Sequence, residues 1–395
     1  VFAQRPHDAY YELLPLSWKI TSYDSTEIMS RAVWALLLFL PAVLLLGGLG
    51  RILPASCKPR RLVETLRRAW DRLFGEPGRS RCGLNLRTAL LIGATAATPL
   101  YFRAPKVKTL FEVDYFSHRR MWTRVLEIGR RTPYHYLVSH AVNRALFHTG
   151  KLGDEMFHYP QRREALLLTQ REALWQKFDT CMDLGLINEA EDALMICLES
   201  HGERSLLLDR LARIHLVKGN LGTARVFLNA LAKVPFWSGK AGADLARLEA
   251  DPNLSQDAQI QHYRSVMLRR DFVRPVDPLA SLLTENPENR MAYEYGMAGL
   301  LLSKRLDQFA QNFERFRPSN VSVDSKHYLE ALLLHRALHK QPIDAPGSKI
   351  PREAKLKLHE FFQILQQHRD NKEEAREALK DSFSNTYYYH HYFAD

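Results

Sequence analysis

Apolar residues return every three to four positions in successive runs between Tyr134 and about Pro235, and the runs are broken pairwise at glycines. This spacing predicts amphipathic helices rather than strands. Gly150 opens Gly-Lys-Leu-Gly-Asp-Glu, Gly185 opens Gly-Leu-Ile-Asn-Glu-Ala, and Gly219 opens Gly-Asn-Leu-Gly-Thr-Ala. The three glycines stand 35 and 34 residues apart, and each is followed two residues later by Leu152, Ile187 or Leu221. Ala190 and Ala224 repeat at the same distance. The expected helix pairs are 134–148 with 153–158, 170–184 with 189–200, and 205–218 with 223–234. Residues 112–131 read as one helix before the first pair, stopped by Thr132-Pro133.

After Pro235 the pattern loosens over 236–288, where Trp237-Ser-Gly, Asp251-Pro-Asn and Asp277-Pro are turn signals. It returns at 289–303 and 306–317, with Lys304-Arg305 in place of the glycine turn. Helices over 326–339 and 352–369 follow, and 372–383 has the polar face of a cap. A period near 34 with glycine at the inter-helix turn is the signature of tetratricopeptide-like repeats. Residues 109–395 are therefore expected to form an all-α solenoid with a concave groove.

Upstream the pattern changes character. Residues 32–50 carry no charge, and at 1.5 Å per residue would span about 28 Å, close to a bilayer core. Residues 88–102 are also uncharged but would span only about 22 Å. Between them, 60–74 places Leu62, Val63, Leu66, Trp70 and Phe74 on one helical face, with Arg60, Arg61, Arg67, Arg68 and Arg72 on the other. That is the pattern of a helix lying flat on an anionic lipid surface, with these arginines and Trp70 at the headgroups. The expected fold class is thus all-α, with N-terminal transmembrane helices ahead of the solenoid. Residues 1–30 form an acidic, Tyr-rich lead-in, and 31–103 the membrane region.

Charge supports a lipid bilayer as partner and argues against nucleic acid. Of the formal charge of +11, ten basic and three acidic residues fall within 51–87. If both apolar segments cross, this loop is cytoplasmic by the positive-inside rule, and the repeats lie on the other side, the periplasm in a bacterium. If 88–102 does not cross, the repeats are cytoplasmic.

Chemistry is sparse. No P-loop, dinucleotide fingerprint, nucleophile elbow or zinc-protease motif occurs, so no catalytic residue and no cofactor is expected. His135, His140 and His148 are spaced by five and eight, and His390-His391 lie in an aromatic run read as a tail docking on the repeats or on headgroups. No metal is expected from either group. Cys181 and Cys197 fall on the two helices of one repeat, offset from paired positions, and read as small buried residues rather than a bridge. The least generic stretch is Asn143-Arg144, then Tyr159-Pro160-Gln161. Asn143, Arg144, Tyr159 and Gln161 are candidates for a polar pocket in the groove, or for internal hydrogen bonds that fix the first repeat.

Asp114-Tyr115, Trp122, Asn143-Arg144-Ala145-Leu146, Gly150 and Phe157-His-Tyr159-Pro160-Gln161 together resemble an uncharacterised family of bacterial multi-pass inner-membrane proteins with tetratricopeptide-like C-terminal domains. The resemblance implies further membrane helices upstream of Val1 and carries no activity. The expected function is a membrane-anchored scaffold that binds protein partners through its solenoid. The alternatives are the C-terminal part of a larger membrane enzyme, such as a lipid-linked glycosyl transferase with its catalytic part upstream, and a structural subunit of a membrane complex.

Overall fold

Gly150, Gly185 and Gly219 all take left-handed backbone, with φ of 71°, 91° and 77°. Each ends one helix and lets the next fold back. The computed structural model describes residues 105–168, 174–269, 277–319, 321, 325–341 and 351–394. Those from Thr109 onward belong to one compact unit. Among the described residues every regular element is helical.

The chain enters through α1 (Pro105–His118) and α2 (Trp122–Arg131), then α3 (Tyr136–His148) and the single turn α4 (Leu152–Glu155). Hairpins follow: α5 (Leu174–Leu184) with α6 (Ile187–His201), and α7 (Ser205–Lys218) with α8 (Leu221–Leu231). Each hairpin buries its facing apolar stripe, for example Leu184, Ile187 and Leu194 in one and Leu211, Ile214 and Leu228 in the next. After α9 (Ser238–Ala250), helix α10 (Ala258–Val266) turns back across α7 and α5. The second half comprises α11 (Pro278–Glu285), α12 (Arg290–Leu302), α13 (Leu306–Arg315), α14 (Lys326–Leu338), α15 (Arg352–Gln367), α16 (Lys372–Phe383) and α17 (Tyr387–Phe393).

That half does not simply extend the row. Helix α12 packs on α5 and α4, and α14 packs on α4, so the second half folds back onto the first repeats. Asn289 makes the junction. Its side-chain carbonyl caps α12 by accepting from Ala292 N (3.0 Å), while its amide donates to Leu184 O (2.8 Å) at the end of α5. One buried side chain thus satisfies the orphan groups of two helix ends. The aromatic tail docks on the protein: Tyr387, Tyr388 and Phe393 are buried, and α17 lies against α12, α14 and α16.

Three sequence expectations need correction. The transmembrane part of the fold class is not supported: among the described residues no helix is long and apolar enough to cross a membrane. The longest, α15, has 16 residues and carries Lys, Arg and Glu, and would reach only about 24 Å. Segments 1–30, 32–50, 60–74 and 88–102, with Arg60, Arg61, Arg67, Arg68, Trp70 and Arg72, lie outside the described residues. The helix expected over 112–131 is two helices. Arg120 at φ 55° turns the chain, with Met121 N donating to Phe116 O (2.9 Å), and Arg120 reaches toward Asp183. The second helix of the first pair is one α-turn followed by a 3-10 turn, Met156–His158, because the chain must bend there to bring Tyr159 onto α2. Cys181 and Cys197 are buried and not joined by a disulfide.

Candidate functional site

Helix α3 carries an unusual row of buried polar side chains: Ser139, His140, Asn143 and Arg144. Polar groups are stable in such a place only when paired. Ser139 Oγ donates to Pro160 O (2.9 Å), and Gln161 Nε2 donates to Asn143 Oδ1 (2.9 Å). His140 contacts Ala165 O through Nδ1 (2.9 Å) and Thr180 Oγ1 through Nε2 (2.7 Å). Burial, helped by the nearby Arg144 charge, pushes its pKa down to about 4, so the ring is neutral, donates from Nδ1 and accepts from Thr180. Tyr159 is buried, and its hydroxyl accepts from Arg130 Nε (3.3 Å).

The four sequence candidates therefore do not gather into one pocket. Asn143 and Gln161 bond to each other, and Tyr159 anchors the 159–161 turn to α2. Arg144 alone points the other way. Its Nη2 lies 2.6 Å from Asp183 Oδ2 and its Nη1 3.9 Å from Asp179, with the guanidinium 5.6 Å from the Trp122 ring centre. His148 stacks on Trp122 (4.5 Å between rings) and donates to Asp183 (3.2 Å). Burial would raise the Asp183 carboxyl, but the hydrogen bond from His148 and the charge and hydrogen bond of Arg144 overcome it and hold it at about 2. Asp179 is met from the other side by Arg210 (3.5 Å), whose guanidinium lies over Trp175 and Phe178.

This network floors a groove of about 150 Å³. Its walls are Ser117, His118 and Arg120 from the end of α1, Phe178, Asp179, Met182 and Asp183 from α5, Arg213 from α7, and Gln259 and Tyr263 from α10. The two aspartates are already engaged by Arg144, His148 and Arg210. The cations nearer the opening are held loosely: Arg120 stands 3.8 Å from Asp183 and Arg213 3.5 Å from Gln259. A second depression of about 190 Å³ continues the groove, sharing Arg213 and Gln259 and lined further by Lys240, Asp244, Arg247 and Asp257. Its charges are mutually paired: Arg247 bonds Asp244 (2.9 Å) and Asp257 (3.2 Å), and Lys240 bonds Asp209.

Sequence reading found Arg144 because Asn-Arg in the middle of an apolar helix is conspicuous. It missed Asp179 and Asp183, although their separation of four residues puts both on one face of α5. Arg120, Arg213, Gln259 and Tyr263 come from three further elements, and no local pattern links them.

Residues 3–394 match the profile of a family described as being of unknown function (DUF6057), and the chain belongs to that family. No curated protein and no solved structure matches it.

Proposed function

We propose that this family member is a helical scaffold that holds a protein partner in the groove above Arg144 and Asp183, by clasping an acidic side chain between Arg120 and Arg213. The observation that carries this reading is the pairing pattern. The two aspartates are neutralised from beneath, and the two arginines at the mouth keep hydrogen-bonding capacity for an incoming carboxylate. Size supports the same conclusion. Metabolite pockets usually run about 300–1,000 Å³, whereas about 150 Å³ suits one side chain. The adjoining depression gives room for the residues on either side of it, which favours an extended segment over a free small molecule.

Labelled acidic peptides of about ten residues should bind the full chain more tightly than lysine-rich peptides of equal length, and binding should weaken with salt. Arg120→Glu with Arg213→Glu should reduce acidic-peptide affinity by at least about tenfold, near 1.4 kcal/mol. Fluorescence anisotropy reads both. Equal affinity for acidic and basic peptides, or indifference to the double charge reversal, would refute the proposal.

A further inference from the structure

We infer that Asp307, His335 and His339 form a binding site for one divalent transition-metal ion of the zinc type, away from the groove. His335 lies in the last turn of α14 and His339 follows that helix directly, so their separation of four residues brings both rings to one face. Helix α13 packs on α14 and sets Asp307, in its first turn, beside them. Asp307 Oδ1 is 3.3 Å from the Nε2 of each histidine, and one ligand atom from each of the three residues lies within 4.8 Å of the others. Zinc bonds to nitrogen and oxygen of about 2.0–2.1 Å place neighbouring donors of a tetrahedral site roughly 3.3 Å apart. The two carboxylate–imidazole edges of such a site are therefore already formed.

The proton inventory points the same way. His339 Nδ1 is 2.9 Å from His335 O, a contact only an N–H can make favourably, so in the neutral ring Nε2 carries the lone pair. That lone pair faces Asp307 Oδ1, the arrangement of two donors that share one cation. A single divalent ion answers all three donors at once. Two imidazoles and one carboxylate suit zinc, cobalt or nickel better than magnesium or calcium. Asp307 and His339 are exposed, which leaves the remaining coordination position to water or to a side chain from outside. Such an ion would tie the start of α13 to the end of α14, closing the hairpin opposite its connecting loop.

The test uses the full chain stripped with chelator and titrated with Co²⁺, followed by visible absorption, with Zn²⁺ as competitor. The expected result is a saturable cobalt spectrum displaced by zinc, with affinity weakened at least about tenfold in His335→Ala and in Asp307→Asn. Zinc should raise the melting temperature of the wild type by a few degrees and leave both variants unmoved. Asp307 is 68% exposed, so its substitution tests ligation without disturbing packing. Absence of a cobalt spectrum, or a spectrum equally strong in the Asp307→Asn protein, would overturn the assignment.

Discussion

Asp183→Leu should destabilise the folded domain by roughly 3–5 kcal/mol, the usual consequence of stranding a buried charge. Arg144 is 5% exposed, and among the described residues Asp183 supplies its only short ionic contact, at 2.6 Å. Removing the carboxylate leaves a largely buried guanidinium with only the longer contact to Asp179, at 3.9 Å. The double variant Arg144→Met/Asp183→Leu should recover most of the loss, because a well-packed apolar pair often matches a buried ion pair. Urea denaturation of the two single variants and the double variant gives the coupling directly. Additive losses would mean that the pair is not the keystone of this region.

The same carboxylate predicts an acid limb. Its folded pKa of about 2 lies below the ordinary aspartate value of 3.8, so its stabilisation is fully present above the unfolded value and is lost as pH falls through the folded one. Between about pH 5 and pH 1 it should account for about 2 kcal/mol of lost stability. This is smaller than the effect of substitution because a protonated Asp183 can still accept from Arg144. Asp183→Asn should flatten that limb.

Gly185→Ala should cost much more than Gly219→Ala, although both glycines end equivalent helices. At Gly219 an added Cβ meets nothing within 4 Å among the described residues, so only the left-handed backbone is penalised, by about 1–2 kcal/mol. At Gly185 the same atom would stand 2.2 Å from Val266 O and 2.7 Å from Val266 C, which are backbone atoms. The chain leaving α10 rests on this turn, with Leu268 N donating to Gly185 O (3.0 Å). Alanine must push that strand of backbone away, adding about 1–3 kcal/mol of overpacking. The expected total is roughly 2–5 kcal/mol, read from urea midpoints at unchanged slope. Equal midpoints for the two variants would mean that the chain leaving α10 does not rest on Gly185.

These two sites also mark what the sequence made legible. The repeating glycines are readable because a left-handed helix end leaves a local trace, whatever the rest of the chain does. The return of α10 onto Gly185 leaves none: Val266, Leu268 and Asn289 are ordinary residues whose partners lie about 80 or more positions away. The break at Arg120 was hidden for a similar reason. Residues 112–131 keep helical spacing throughout, and the turn is made by a residue whose side chain reaches across to Asp183. At the groove, Arg144 stood out as a polar intrusion in an apolar helix. Its partners Asp179 and Asp183 lie 35 and 39 positions further along the chain, where no local pattern ties them to it. The pair His335 and His339 was open to reading from spacing alone, but Asp307 joins it only through the packing of α13 on α14.

The most direct test of the groove as a partner surface is photo-crosslinking from position 259, which both depressions share, against position 226, which is 65% exposed and lines neither. The protein carrying a photoreactive residue at Gln259 should crosslink to a partner segment rich in Asp or Glu, identified by mass spectrometry. The product should be absent from the Val226 position and from the Arg120→Glu/Arg213→Glu background. Crosslinks that form equally from both positions, or that survive the charge reversal, would contradict the account.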